Sequence, residues 1–269
     1  MLHLAQGRRK AVNVGDPLHS PLVMNKMGPN SPKLQFRKGQ LSMVAGGPGT
    51  GKSYFVQAIV QRGDDKGNTN KGIYFSADSD PFTMFTRAIA IDRAQSTVDI
   101  ERMIKTNPDQ MDAIASNASD NVWYDFTSEL SAERIMGQIM AYAEITGEYP
   151  EFIVIDNLKN LDVTEGAGEE FQVLEENCIF LSELAGITGA AVIVTHHVGG
   201  TYEDNASVVP LSGVRGKVSK TPTLIATLRR DREAGELWVS IVKNRAGAAD
   251  SSGGFYGLVK ADMEHGQFN

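Results

Sequence analysis

Apolar residues in this chain fall into short continuous runs, and most of these alternate with longer stretches of helical period. Residues 40–45 (QLSMVA), 73–77, 122–126, 152–155 and 190–195 read as buried strands. Between them the pattern predicts helices over 52–61, 81–93, 97–118, from a Ser131 N-cap to about 146, and over 169–185, ending near Gly186. Pro81 suits a first helical turn. A long polar loop over 198–221 follows, then three strand-like runs at 224–228, 237–242 and 255–259 with no helix between them. Strands alternating with helices predict an α/β fold, with a mainly parallel central sheet flanked by helices. The last three runs predict antiparallel C-terminal strands. Residues 1–38 hold Pro17, Pro21, Pro29 and Pro32 and no sustained period, so they read as an irregular N-terminal arm before one domain over 39–269.

Size and composition narrow the field. With 269 residues, at roughly 100–200 residues per domain, one large domain is expected, able to bury its core without staples. The single Cys178 excludes an internal disulfide framework and a Cys-rich zinc site, which fits a reducing, cytoplasmic setting. No apolar run approaches the ~18 residues of a membrane span, and the basic N-terminus lacks the apolar stretch of a signal peptide. A net charge of −7 argues against a wholesale basic coat for nucleic acid. Its distribution changes that picture. Residues 1–40 carry seven Lys and Arg against Asp16 alone, and residues 211–230 carry five with no acid. Bulk acidity therefore hides two basic islands, although basic stretches are often only solvated faces.

The most specific motif is Gly46-Gly47-Pro48-Gly49-Thr50-Gly51-Lys52-Ser53, a G-x-x-x-x-G-K-[ST] run between a predicted strand and a predicted helix. Glycines let backbone N–H groups curl around phosphate oxygens, and the helix N-terminus favours the same anion. Lys52 is expected to reach the β- and γ-phosphates of ATP, and Ser53 to ligate Mg²⁺. The run Phe152-Ile153-Val154-Ile155-Asp156 delivers one carboxylate to the end of an apolar strand, where ligands sit in open parallel sheets, so Asp156 is the second expected Mg²⁺ residue. The next residue is Asn157 rather than an acid, so a base must come from elsewhere. Asp78 and Asp80 close the 73–77 strand with the same parity, and either could align a water against the γ-phosphate. Asp80 before Pro81 also makes a good helix cap, which favours Asp78 as base. The strand over 190–195 leads into His196-His197. A polar tip there would lie beside the γ-phosphate and could report it to the following loop; His196 is favoured as sensor and His197 remains open.

With these motifs in order, residues 36–262 resemble the RecA-like ATPase core of DnaB-type hexameric replicative helicases, and also phage primase-helicases and RepA-type plasmid helicases. Two further stretches carry the resemblance. Leu211-Ser212-Gly213-Val214-Arg215-Gly216 looks like the channel loop that touches the DNA backbone, and Lys243-Asn244-Arg245 looks like the Lys-x-Arg element inserted into a neighbouring subunit's nucleotide site. The resemblance implies a RecA-like P-loop NTPase that hydrolyses Mg-ATP between subunits of a homo-oligomeric ring, a hexamer, and moves on single-stranded DNA, with other replication proteins as further partners. It places Lys243 and Arg245 in the catalytic set. Cations on a Gly/Ser-rich loop can follow phosphates, so Arg215, Gly216, Lys217 and Lys220 are the expected DNA contacts. In the family the base is usually Glu, and Asp78 is one methylene shorter. An ATP-switched single-stranded DNA-binding module, recombinase-like or helicase-associated, is the alternative, and a signalling ATPase a third.

Overall fold

The computed structural model describes residues 15–20, 33–107, 109, 112–114, 120–164 and 168–269, and of Lys217 the backbone alone. In chain order the elements are β1 (Leu41–Gly46), α1 (Lys52–Arg62), β2 (Gly72–Ser76), α2 (Pro81–Arg93), α3 (Thr97–Thr106), β3 (Val122–Asp125), α4 (Ala132–Thr146), β4 (Phe152–Asp156), α5 (Glu170–Thr188), β5 (Ala191–His197), β6 (Leu224–Asp231), β7 (Glu236–Asn244), β8 (Tyr256–Asp262) and β9 (Gln267–Phe268). The strands form one nine-stranded sheet in the order β3-β2-β4-β5-β1-β6-β7-β8-β9. Pairing is parallel from β3 to β6 and antiparallel from β6 to β9. The α/β reading of the hydrophobic pattern is thus met, including the antiparallel end.

Strands β1, β2 and β4 are buried at every position, as expected of parallel strands covered on both faces. On one face Phe55, Val56 and Ile59 of α1 pack on Val44, Val154 and Ile193, and this layer continues to Leu228, Val239 and Val259. On the other, Ile135 and Ile139 of α4 and Leu174, Cys178 and Leu181 of α5 pack on Met43, Ile153, Ile155 and Val192. Burial pushes the Cys178 thiol up to about 12.

Several boundaries differ from expectation for local reasons. α3 stops at Thr106, where Asn107 leaves helical geometry (φ −141, ψ 67) and donates its N–H to Met103; the far end of the span predicted as helix, 115–119, lies outside the described residues. α5 runs through Gly186 to Thr188 and is stopped instead by Gly189, whose left-handed conformation (φ 75) places its N–H on the carbonyl of Ala185. The hydrophobic pattern does not predict the hairpin strand β9; its Phe268 packs edge-on against Tyr54 and Phe55.

The stretch read as an irregular basic arm is described at 15–20 and 33–38. There its two pieces run antiparallel, with Leu18 N–H on Phe36 O (2.8 Å) and Lys38 N–H on Asp16 O (2.9 Å). Leu18, Leu34 and Phe36 are buried in the α1-side layer. These parts belong to the packing of the domain. Arg8, Arg9, Lys10 and Lys26 lie outside the described residues.

Candidate active site

The phosphate-binding loop leaves β1 at Gly46 and enters α1 at Lys52, at the C-terminal edge of the parallel strands. Two of its glycines are required by geometry. A Cβ on Gly47 would lie 2.5 Å from the carbonyl oxygen of Glu203, and Gly51 caps α1 with φ 96. Pro48, Gly49 and Thr50 form the loop apex; the Thr50 hydroxyl is 2.7 Å from Gly47 O and 2.8 Å from Oδ1 of Asn205, so the 200–206 segment is fastened over the loop. Lys52 is buried and donates from Nζ to the carbonyls of Gly46 (2.9 Å) and Gly47 (3.0 Å). Burial lowers its pKa, against the attraction of Asp156 and Asp78. Its ammonium is therefore held at the loop mouth by two neutral acceptors that an anion can replace. Ser53 stands in the first turn of α1.

Asp156 ends β4 and is 2 % exposed. Its Oδ1 accepts from the Thr195 hydroxyl (2.5 Å) and its Oδ2 from the Tyr74 hydroxyl (3.0 Å). Tyr74 also reaches the carbonyl of Ser53 (3.2 Å), so one phenol ties Asp156 to the start of α1. Burial and the neighbouring Asp156 push the Tyr74 phenol well up, so it stays a neutral donor. The Ser53 hydroxyl and the Asp156 carboxylate are hard oxygen donors that suit Mg²⁺. With both of its oxygens already taken by hydroxyls, Asp156 fits a role through coordinated water.

The two candidate bases separate cleanly. Asp80 is the N-cap of α2, accepting from the Thr83 N–H (3.0 Å) and hydroxyl (2.7 Å). Asp78 instead faces the cleft and accepts a hydrogen bond from Nδ2 of Asn157. The same Nδ2 lies 3.4 Å from Nε2 of His197. The adjacent histidines also divide. His197 shares the face of Thr195 and meets the Asn157–Asp78 pair. His196 points to the opposite face, is 1 % exposed, and sets Nε2 2.9 Å from the carbonyl of Arg215. Burial lowers its pKa to about 4. The pKa of His197 is lowered too, by burial and then by Lys52 and Lys159.

A cavity of about 450 Å³ opens beside Ser53, lined among others by Thr86, Arg87, Arg230 and Met263. Arg232 lies close to Gly49. Sequence reasoning missed Tyr74, Thr195, Asn205, Arg230 and Arg232. Thr195 was legible in principle, since it sits two positions from His197 and so shares its face. Tyr74 reads in the sequence as one more apolar strand residue.

The basic loop is pinned to the domain. Val214 bridges Val198, and Arg215, Gly216 and Lys217 form a short 3₁₀ turn. Arg215 pairs with Glu170 (2.8 Å) and Lys220 with Glu175 (3.4 Å), both at the start of α5. The Arg215 pair is exposed on both sides and so holds weakly. Lys243 and Arg245 are not near Lys52. Strand β7 runs antiparallel to β6, so its Asn244 end lies beside Leu224, while Gly46 lies beside Leu228 at the other edge of the sheet. There Lys243 Nζ donates to Ser219 O (2.5 Å) and Lys220 O (2.8 Å), and Arg245 Nη2 to Lys220 O (2.8 Å).

Known proteins are similar to this chain in sequence and in fold. The chain is 35 % identical over 246 residues to the gene 65 protein of Mycobacterium phage L5, covering 90 % of this chain and 88 % of that protein. It is 34 % identical over 225 residues to the gene 65 protein of Mycobacterium phage D29, covering 81 % and 94 %. Among solved structures, an isolated ATPase domain superposes with a TM-score of 0.72 at 16 % identity, over 86 % of this chain and 84 % of that one. A DnaB-like replicative helicase, solved in a study of its interactions with primase, superposes with a TM-score of 0.71 at 16 % identity, over 87 % of this chain and 57 % of that one. Residues 33–253 match the model of the DnaB-like helicase C-terminal domain, and the chain belongs to that family.

Proposed function

We propose that the protein is an ATP-hydrolysing helicase motor that translocates on single-stranded DNA as a homo-oligomeric ring, with active sites completed between subunits. The observation that carries this reading is the convergence of Lys52, Ser53, Asp156 and Asp78 on one edge of the sheet, with Lys243 and Arg245 at the other. Phosphate displaces the two carbonyls from the Lys52 ammonium. Mg²⁺, when bound, neutralises phosphate charge, and Ser53 and Asp156 hold it. Asp78 aligns the attacking water and takes up its proton. Six strand residues of β1 alone separate the sheet edges by about 20 Å. Lys243 and Arg245 therefore serve a nucleotide only from another copy, which is why a ring is favoured over a monomer. The basic loop, held by exposed ion pairs, exchanges its glutamates for DNA phosphates.

The test measures ATP hydrolysis with and without single-stranded DNA at low salt, oligomeric state with a nonhydrolysable analogue, and displacement of an annealed strand. DNA-stimulated hydrolysis, a closed ring and displacement are expected. DNA binding without displacement would favour an ATP-switched binding module, and hydrolysis indifferent to DNA would remove the nucleic-acid role.

A further inference from the structure

Asn157 occupies the position directly after Asp156, is 2 % exposed, and has both ends of its amide committed. Its Oδ1 accepts the backbone N–H of Lys159 (3.0 Å), capping the 3₁₀ turn Leu158–Asn160. That bond fixes which end of the amide is which, so Nδ2 must face the other way. There it finds the Asp78 carboxylate and, at 3.4 Å, Nε2 of His197. With the pKa of His197 lowered by burial and by Lys52, its ring is neutral and offers Nε2 as an acceptor. The two hydrogens of Nδ2 thus have two acceptors on two different strand ends, β2 and β5.

Resting on the proposed ATPase reading, we infer that Asn157 is a positioning residue for the reaction, holding the Asp78 carboxylate in the orientation that aligns the attacking water. Capping alone does not require asparagine. Aspartate or serine caps a turn equally well, but at this position only asparagine also supplies a buried donor. Asp78 is exposed and one methylene shorter than glutamate, so its side chain has little else to fix its rotamer. An amide anchored on the rigid end of β4 supplies that constraint, beside the same Asp156 that holds the metal. The residue takes no part in proton transfer; it acts through Asp78.

The experiment compares Asn157→Asp and Asn157→Ser with wild type in the full chain. Both substitutions keep a capping oxygen and remove the donor. The expected result is a kcat for ATP hydrolysis lowered by about 10–100-fold, with fluorescent ATP-analogue affinity within about twofold and melting temperature close to wild type. In an Asp78→Ala background, followed in single turnover, Asn157→Ser is expected to add no further loss. An unchanged kcat in both single variants would overturn the inference, as would a full additional loss in the Asp78→Ala background. Should wild type itself fail to hydrolyse ATP, the functional reading fails instead, and the two failures are distinguishable.

Discussion

Nε2 of His196 and the carbonyl oxygen of Arg215 are 2.9 Å apart, which ties the tip of β5 to the basic loop through one buried imidazole. A carbonyl only accepts, so Nε2 carries the proton, and Nδ1 is buried with no partner. The ring is neutral in the fold, with its pKa lowered to about 4, while the unfolded chain binds a proton near 6.5. The unfolded state therefore holds more protons between these values, and stability falls as pH drops from about 6.5 towards 4. The His196 contribution to that loss is on the order of 3 kcal/mol. Denaturant titrations at intervals from pH 7 to 4 should show a shallower slope for His196→Gln; parallel slopes would mean that His196 does not titrate as argued.

Lys52→Ala is expected to lower ATP hydrolysis by ~10²–10³-fold or more, because no other side chain among the described residues is held at the mouth of the phosphate loop by two displaceable carbonyls. Normal turnover in that variant, measured by phosphate release, would remove the site assignment altogether.

Arg245→Ala should suppress hydrolysis by roughly 10³-fold or more while leaving analogue binding intact, since its own nucleotide site lies at the far edge of the sheet. Mixing inactive Arg245→Ala with inactive Lys52→Ala subunits should restore part of the activity, because some interfaces then pair an intact Lys52 with an intact Arg245. No recovery, from mixtures that do co-assemble, would confine Arg245 to its observed role of holding the carbonyl of Lys220.

Arg215→Ala with Lys217→Ala moves net charge only from −7 to −9, yet should weaken single-stranded DNA binding and reduce its salt dependence by one to two contacts, a slope change of roughly 0.7 each. Fluorescence anisotropy across a salt series reads both. Unchanged affinity would mean that Arg215 serves only its pair with Glu170.

Much of this site was legible in sequence because its chemistry is local. The phosphate loop, the strand end at Asp156 and the cap formed by Asp80 each depend on residues within a few positions. Contacts made across strands were not legible. Tyr74 and Thr195 meet at Asp156 from β2 and β5, and nothing in an apolar run says that its one hydroxyl is aimed at a carboxylate on a neighbour. The histidine pair was ambiguous for the same reason. Alternation says that the two rings face apart, but only the placement of α5 and the 198–222 loop says which ring looks at the nucleotide. At the fold level, alternation of elements conveyed the parallel sheet, whereas two-residue β9 is too short to leave a pattern and exists through Phe268 packing on α1.

The pairing of residues 15–18 with 36–38 bears on where this protein can be cut. The family match begins at residue 33, and a fragment trimmed there keeps Leu34 and Phe36 but loses Leu18, which is 5 % exposed in the same layer. It also strips the partners of the 36–38 backbone and takes away His19, whose N–H and carbonyl hold Asn70 (2.9 and 2.7 Å) at the entrance to β2. Such a fragment would carry every motif of the motor and still present a wet, unfilled notch against α1. The boundary drawn by similarity and the boundary drawn by packing are different lines, and expression should respect the second.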